Sequence, residues 1–366
     1  MTAPMSMPRP MAQQTAPTQL VVIAEKDISE VASFIAAQSG RTRESVEAHL
    51  RWFLLENPAR QPQHPLGFGL RAADQLVGCI LCSPQTFRFE NKNILLMGSS
   101  SFYVDDRHRG NGGRIFLQYC RLARQWPLFG TSANPEAAAL WKAAGAGPMP
   151  YSDGELFAVL RWPPVVEELV HRRSSNRLLA RLAGNPISQF AALVRPLQID
   201  AFSPDALRLL TSSEQVNDLP VHHPSAKLTS LRDPSYIRWR YFSGRDATTA
   251  AFAFRSHSPD QEILVTVNQR VRGYRGQINT LNVLDIYPEV PPEEWLRIVG
   301  ALVAYYQKTV DAIVLRNQNR ERRELLRQRG FEYRQFDAPI GWLLDKTNLL
   351  PTKDWYPAPA DGDGLI

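Results

Sequence analysis

An apolar run ending at Val104 passes through Asp105-Asp106-Arg107-His108-Arg109-Gly110-Asn111-Gly112-Gly113-Arg114 into the helical spacing Ile115-Phe116-Leu117-Gln118-Tyr119. A strand, a basic glycine-rich turn and a helix in direct succession require the helix to pack back on a sheet, so this stretch belongs to an α/β layer. The same succession is an anion site in outline. Glycines let the backbone come close to a phosphate, the first free N–H groups of the helix point at it, and the helix dipole adds about half a positive charge.

The 366 residues exceed what one core usually serves, so more than one domain is expected. A net charge of +6 favours anionic partners but is too mild to argue for nucleic acid. No apolar run is long enough for a membrane-spanning helix. Residues 1–18 are rich in Met, Pro, Ala and Gln, lack an apolar segment and read as a disordered leader. Cys79 and Cys82 are spaced C-x-x-C within the strand-like run Leu76 to Cys82, so they face opposite sides. With Cys120 as the only other cysteine, no zinc site can be completed, and buried thiols in a reducing, cytoplasmic compartment are expected.

Periodicity predicts strands over 19–24, 67–71, 75–82 and 93–104, with helices over 28–37 and 43–55. After the glycine turn come a helix to about Arg124, a strand over 127–131, a helix over 134–144 and a strand over 155–162. Pro163 and Pro164 break the pattern, and a basic helical stretch follows over 165–193. A second unit starts near Gln198. Its helices are expected over 204–210, 234–241, 292–309 and 319–329, and its strands over 248–254, 263–269, 276–286, 312–316 and 341–344. The order of elements repeats that of the first half. This divides the chain into a leader (1–18), a first domain (19–162), a basic helical linker (163–197), a second domain (198–350) and a loose tail (351–366). The fold class is α/β, each domain a mixed central sheet flanked by helices.

A second motif, Asn134-Pro135-Glu136-Ala137-Ala138-Ala139-Leu140-Trp141-Lys142-Ala143-Ala144-Gly145, is a capped helix ending at a glycine. Arg109-Gly110-Asn111-Gly112 followed by Asn134, Ala137, Leu140 and Gly145 resembles the two signature motifs of the GNAT (Gcn5-related N-acetyltransferase) superfamily, in order and spacing. The resemblance covers residues 18–162. The second half resembles the same fold in weaker form. Asn319, Arg322, Leu325-Leu326, Gln328 and Gly330-Phe331 keep the second motif's spacing, but the turn Tyr287-Pro288-Glu289-Val290-Pro291-Pro292 has no glycine and cannot offer free N–H groups to a pyrophosphate. The chain thus reads as tandem GNAT-like domains with a degenerate C-terminal copy.

The resemblance implies an acyl-CoA donor, acetyl or longer, with no metal. Phe102, Tyr103 and Val104 would line the thioester. Gly110, Asn111, Gly112, Gly113 and Arg114 would hold the phosphates, Asn134 would touch the pantetheine arm, and Arg109 and Trp141 would complete the cofactor-binding set. Three positions depart from the pattern: Arg114 stands where Gly or Ala is usual, Trp141 where a proton-donating Tyr is usual, and Gly98-Ser99-Ser100-Ser101 where a glutamate base is common. By the period of two, Ser101 and Tyr103 share a strand face and are the catalytic candidates. Asp153 reads as a turn residue or, from the loop's position in the family, as a pocket-mouth residue. Tyr236 and Arg240 share a helix face in Asp233-Pro234-Ser235-Tyr236-Ile237-Arg238-Trp239-Arg240-Tyr241. Similar segments occur in GNAT-like proteins of bacterial envelope synthesis; the bland reading is an amphipathic helix with aromatic anchors. His222-His223 has no partner at ligand spacing.

The stretch His171 to Leu182 fits either an anionic membrane surface, peripheral at the inner membrane, or a linker packed between domains. The arginines of 316–329 alternate with Glu321 and Glu324 and read as a solvated face, without nucleic acid. Two functions follow. One is an N-acyltransferase moving an acyl group from CoA or acyl carrier protein to an amine of a small or lipid- or sugar-linked envelope metabolite. The other is a GNAT-like binding or scaffold protein without turnover.

Overall fold

The structure, a computed structural model, describes residues 17–89, 92–173, 197–199, 202–217, 219, 228–243, 248–256, 262–273 and 277–350. Most of the leader and linker, His222-His223 and the tail 351–366 lie outside the described residues.

The first half runs β1 (Thr18–Ile23), α1 (Ile28–Ser39), α2 (Arg43–Leu50), a π-turn (Arg51–Leu55), β2 (Gly67–Ala72), β3 (Gln75–Phe89), β4 (Lys92–Val104), α3 (Gly112–Cys120), β5 (Leu128–Gly130), α4 (Pro135–Ala143), β6 (Gly147–Pro148) and β7 (Gly154–Val159). α5 (Trp162–Arg173) follows. Pro163 and Pro164 open it rather than breaking the pattern, because a missing N–H is harmless in a first turn. The second half runs β8 (Leu207–Leu209), β9 (Thr229–Ser230), α6 (Pro234–Tyr241), β10 (Thr249–Arg255), β11 (Glu262–Arg272), β12 (Ile278–Tyr287), α7 (Pro292–Tyr306), β13 (Ala312–Arg316), α8 (Arg320–Gln328), β14 (Glu332–Gln335) and β15 (Trp342–Leu344).

Caps explain where the helices start. The side chains of Thr42, Asn134, Asp233 and Asn319 each accept from the backbone N–H three residues on, at 2.7–3.3 Å. The helix expected over 204–210 is instead a 3-10 turn, Pro204–Ala206, leading into β8. Leu207 to Leu209 pair with β10, and that tertiary ladder overrides local helical spacing.

The strands form two mixed sheets. One has the order β1-β2-β3-β4-β5-β15-β6, with β9 added on β3; the other has the order β14-β7-β13-β12-β11-β10-β8. Each has antiparallel strands, then one parallel pair, β4 with β5 or β12 with β13. The two halves exchange a strand. β7 comes from the first half but lies between β13 and β14. β15 comes from the end of the second half but lies between β5 and β6. The division at 162 in the chain is therefore not a division between sheets.

The halves also share a core. Trp52 of the π-turn and Trp239 of α6 stack at 5.4 Å, and each indole N–H donates to the other's carbonyl, at 2.9 and 3.0 Å. Their cluster joins α1 and α2 to residues of β10, β11 and β12. Below it, Arg232 and Asp285 form a fully buried pair at 2.8 Å, which also receives the Tyr241 hydroxyl at 3.1 Å. Cys79 and Cys82 point into different clusters, as the strand period requires. Burial pushes the Cys79 thiol up to about 12 and Cys120 up to about 11, so neither is a nucleophile at neutral pH. Among the described residues no helix is long and apolar enough to cross a membrane.

His49 carries a pH dependence. It stacks on Phe53 at 5.8 Å, and burial, then the charges of Arg41 and Arg240, lower its pKa from 6.5 to about 4. A histidine depressed by folding is held neutral, so its contribution is complete above the unfolded value. It is lost as pH falls from 6.5 toward 4. The urea midpoint should drop across that window, and His49→Phe should flatten the drop. An identical profile in both proteins would remove His49 as the cause.

Candidate functional site

The parallel pairing of β4 with β5 covers only Met97 with Leu128 and Gly98 with Phe129. β4 continues to Val104 while β5 stops at Gly130, so from Ser99 onward that edge of β4 has no neighbouring strand among the described residues. A backbone edge of this kind can be completed by an extended ligand that carries its own amides. Tyr119 of α3 pins the point of separation. Its hydroxyl donates to the Met97 carbonyl at 2.7 Å and lies 3.5 Å from that of Phe129. Close approach is possible because Gly130 has no Cβ; one would stand 2.9 Å from Ser99 Oγ and 3.1 Å from the Trp141 ring.

Just beyond the separation β4 carries a bulge. Tyr103 pairs with Cys79 and Ser100 with Leu81, so two steps on β3 face three on β4, and Ser101 sits at φ +49°. This non-glycine left-handed residue marks local strain, which clusters at functional sites. The bulge corrects the face assignment. Register puts Ser100 on the face of Tyr103, and Ser101 is the extra residue. Tyr103 packs against the interdomain cluster, whereas Phe102 and Val104 pack on the α3 side. Ser101 therefore does not share a face with Tyr103 by simple alternation; its hydroxyl lies 3.3 Å from that of Ser100.

Phe102 and Val104 reach the start of α3. A Cβ on Gly112 would lie 3.6 Å from Val104 and 3.7 Å from Phe102. These residues come together as anticipated, but the turn is coiled rather than open. Asp106–Asn111 form a 3-10 helix continuous with α3, and Asp105 caps it, taking the N–H groups of Arg107 at 3.0 Å and His108 at 2.8 Å. Gly110 and Gly113 face open space. Arg109 pairs with Asp106 at 2.8 Å on the surface, and Arg114 donates to Thr18 at 2.6 Å and to Asn111 at 3.2 Å.

Other candidates are structural. The Asn134 side-chain oxygen caps α4, although the residue also lines a cavity of about 390 Å³ with Arg334 to Ala338. Trp141 is buried edge-on to Phe116 and Tyr119, at 5.2 and 5.9 Å, and is part of the core against the sheet. Asp153 pairs with Arg323 of α8 at 2.9 Å just before β7, a contact on the side of the second sheet. Tyr236 is buried and 3.2 Å from Gln85. Arg240 is buried over Trp52, Phe53 and Trp239. Both hold the two halves together and neither opens to a substrate.

The second half repeats the geometry. β12 bulges between Val283 and Asp285, and its pairing with β13 ends at Val283 and Leu315. Its turn is blocked from inside. Arg322 of α8, equivalent to Ala137, is buried and donates to the Val290 carbonyl at 2.9 Å and to Glu289 at 3.3 Å. The arginine is thus already engaged by the turn's own carboxylate and carbonyl.

A second cavity, of about 270 Å³, lies between the halves, lined by Thr131, Ser132, Asn268, Arg270, Arg272 and Arg316 among others. Sequence reading missed this group. Arg270 and Arg272 alternate on β11, a readable signal, but their meeting with Arg316 and with a first-half loop is visible only in the fold.

No protein-family profile matches the chain, and no curated protein sequence matches it. Solved structures do. A probable N-acyltransferase from Enterococcus faecalis V583 superposes with a TM-score of 0.53 at 10% identity, over 90% of this chain and 72% of that one. A GCN5-related N-acetyltransferase from Kribbella flavida gives 0.52 at 13%, over 90% and 71%. Saccharomyces cerevisiae N-myristoyltransferase with bound myristoyl-CoA gives 0.53 at 11%, over 93% and 80%. At these identities the likeness is one of fold.

Proposed function

We propose that this chain, two GCN5-related N-acetyltransferase folds in tandem, is an N-acyltransferase that takes its acyl group from a CoA thioester held by the first half. The observation that carries this is the bulged, unpaired edge of β4 at Ser101, which leads directly to the glycine turn and α3. A pantetheine arm would lie as an extra strand along that edge, with the phosphates at Gly110 to Arg114. The amine of the acceptor attacks the thioester carbonyl, the C–N bond forms, the C–S bond breaks, and the CoA thiol leaves with a proton. Backbone donors at the bulge would stabilise the oxyanion between these steps. Ser99, Ser100 and Ser101 can relay a proton through water; water also serves the departing thiolate.

The acceptor is a small or lipid- or sugar-linked amine. The envelope assignment rests on the segment Asp233 to Tyr241, whose Tyr236 and Arg240 are buried, so recognition falls to other residues. A carrier-protein thioester is the second donor to test, and contact with an anionic membrane surface rests on the basic stretch from His171.

The coiled turn, with Asp105 already on two of its amides, supports a second reading in which the protein binds acyl-CoA or a partner without turnover. Acetyl-, octanoyl- and palmitoyl-CoA should each be tested for a rise in melting temperature, then for thiol release with amine acceptors. Binding without thiol release favours the second reading. Gly112→Phe, which drives a ring toward Val104 and Phe102, should weaken CoA binding roughly tenfold, the equivalent of about 1.4 kcal/mol. Unchanged affinity would place the donor elsewhere.

A further inference from the structure

Three arginines line the cavity between the halves. Glu155 of β7 is buried, and one carboxylate serves Arg272 at 3.6 Å, Arg316 at 3.0 Å and Arg334 in closer contact. Arg272 is further oriented by donating to Asn282 at 2.7 Å. Arg270, Arg272 and Arg316 all line the cavity, and Arg272 and Arg316 share the single Glu155 carboxylate. Guanidinium groups held this way suit a planar or tetrahedral oxyanion.

A second observation is independent of charge. Asn268 is 2% exposed and lines the same cavity, yet its side-chain oxygen has no hydrogen-bond partner. The hydroxyl of Thr131, across the cavity, is also buried without a partner. Buried polar atoms left unpaired are rare, and an acceptor oxygen calls for a donor.

Position ties the cavity to the donor site. Leu281 and Val283 of β12 face the cluster of α7, so Asn282 faces away from it, toward the first half. Thr131 follows Gly130, the last residue of β5, where β4 and β5 have parted.

We propose that this cavity receives the acyl acceptor, and that the acceptor is an amine carrying an oxyanion, a carboxylate or a phosphate. The oxyanion lies against Arg270, Arg272 and Arg316, and an N–H of the amine donates to Asn268. This rests on the N-acyltransferase reading for the word acceptor, but not for the binding of the anion.

The test uses the full chain at constant ionic strength. Ethanolamine, β-alanine and phosphoethanolamine share an amine and differ in the oxyanion, and inorganic phosphate supplies the oxyanion alone. Melting temperature and calorimetry should show binding of β-alanine or phosphoethanolamine and none of ethanolamine; which of the two binds identifies the oxyanion. Arg270→Gln should weaken that binding roughly tenfold, the loss of one charged hydrogen bond. Ser132→Glu, at an exposed position on the lip, should do the same by placing a competing carboxylate there. If no oxyanion stabilises the protein beyond chloride, or if both variants bind as the parent does, the proposal is overturned. Acyl-CoA binding is measured on the same samples. CoA binding without oxyanion binding overturns this proposal alone, and oxyanion binding without CoA binding overturns the donor reading alone.

Discussion

A fragment ending at residue 162 should fail to fold as a cooperative unit. Its last strand, β7, has both of its partners, β13 and β14, in the second half. The strand that separates β5 from β6 is β15, near the far end of the chain. β5 spans three residues and β6 two, so without β15 neither has enough pairing to persist. The fragment also exposes Trp52, Phe53, Leu54 and Val31, which are buried in the shared cluster with Trp239, Tyr236 and Ile237. Each large apolar side chain returned to water costs about 1.5–3 kcal/mol, against a total stability of about 5–15 kcal/mol. Urea titration should show no sigmoidal transition, and amide resonances should be poorly dispersed. Co-expression with the remainder of the chain should restore both. A fragment with its own sharp transition would overturn the exchanged-strand account.

Asp285→Ala should destabilise the protein by about 3–5 kcal/mol, because it strands the Arg232 guanidinium in the interior. Both side chains of this pair are 1% exposed. The guanidinium also donates to Ser230, whose strand is paired to β3 of the first sheet, while Asp285 belongs to the second. The pair thus joins the two sheets. Arg232→Met with Asp285→Leu removes both charges and should lose much less than the single change. Urea midpoints with unchanged slopes measure both. A loss below about 1 kcal/mol in the single variant would mean that water reaches the arginine.

The strand–turn–helix at Val104 to Tyr119 and the capped helix from Asn134 were legible because their signals are local. Asn134 and Asn319, at matching places in the repeated spacing, both cap their helices, each at 2.8 Å. The strand over 312–316 is also found where its apolar run lies. The candidate site was legible only in part. Phe102, Val104 and Gly112 meet, but alternation misplaced Ser101 because a bulge inserts a residue that no period reveals. Trp141, Tyr236 and Arg240 have the composition of site residues and the burial of core residues. A single sequence does not distinguish an aromatic beside a ligand from one beneath a sheet. Asp153 followed the same rule: its partner, Arg323, is 170 residues away.

By itself the sequence determined most of the kinds of element, their order, the repeat of that order and the loss of glycine from the second turn; the stretch 204–210 is the exception. These depend on residues close together in the chain, through periodicity, capping and backbone freedom. The tertiary structure alone decided which sheet each terminal strand joins, where β4 buckles, and that Arg270, Arg272 and Arg316 gather opposite Thr131. Strand exchange keeps the hydrophobic pattern of β7 and β15 whichever sheet receives them, so the pattern cannot distinguish the two. Ladder pairing and burial against the other half make that choice, and they act between residues far apart in sequence.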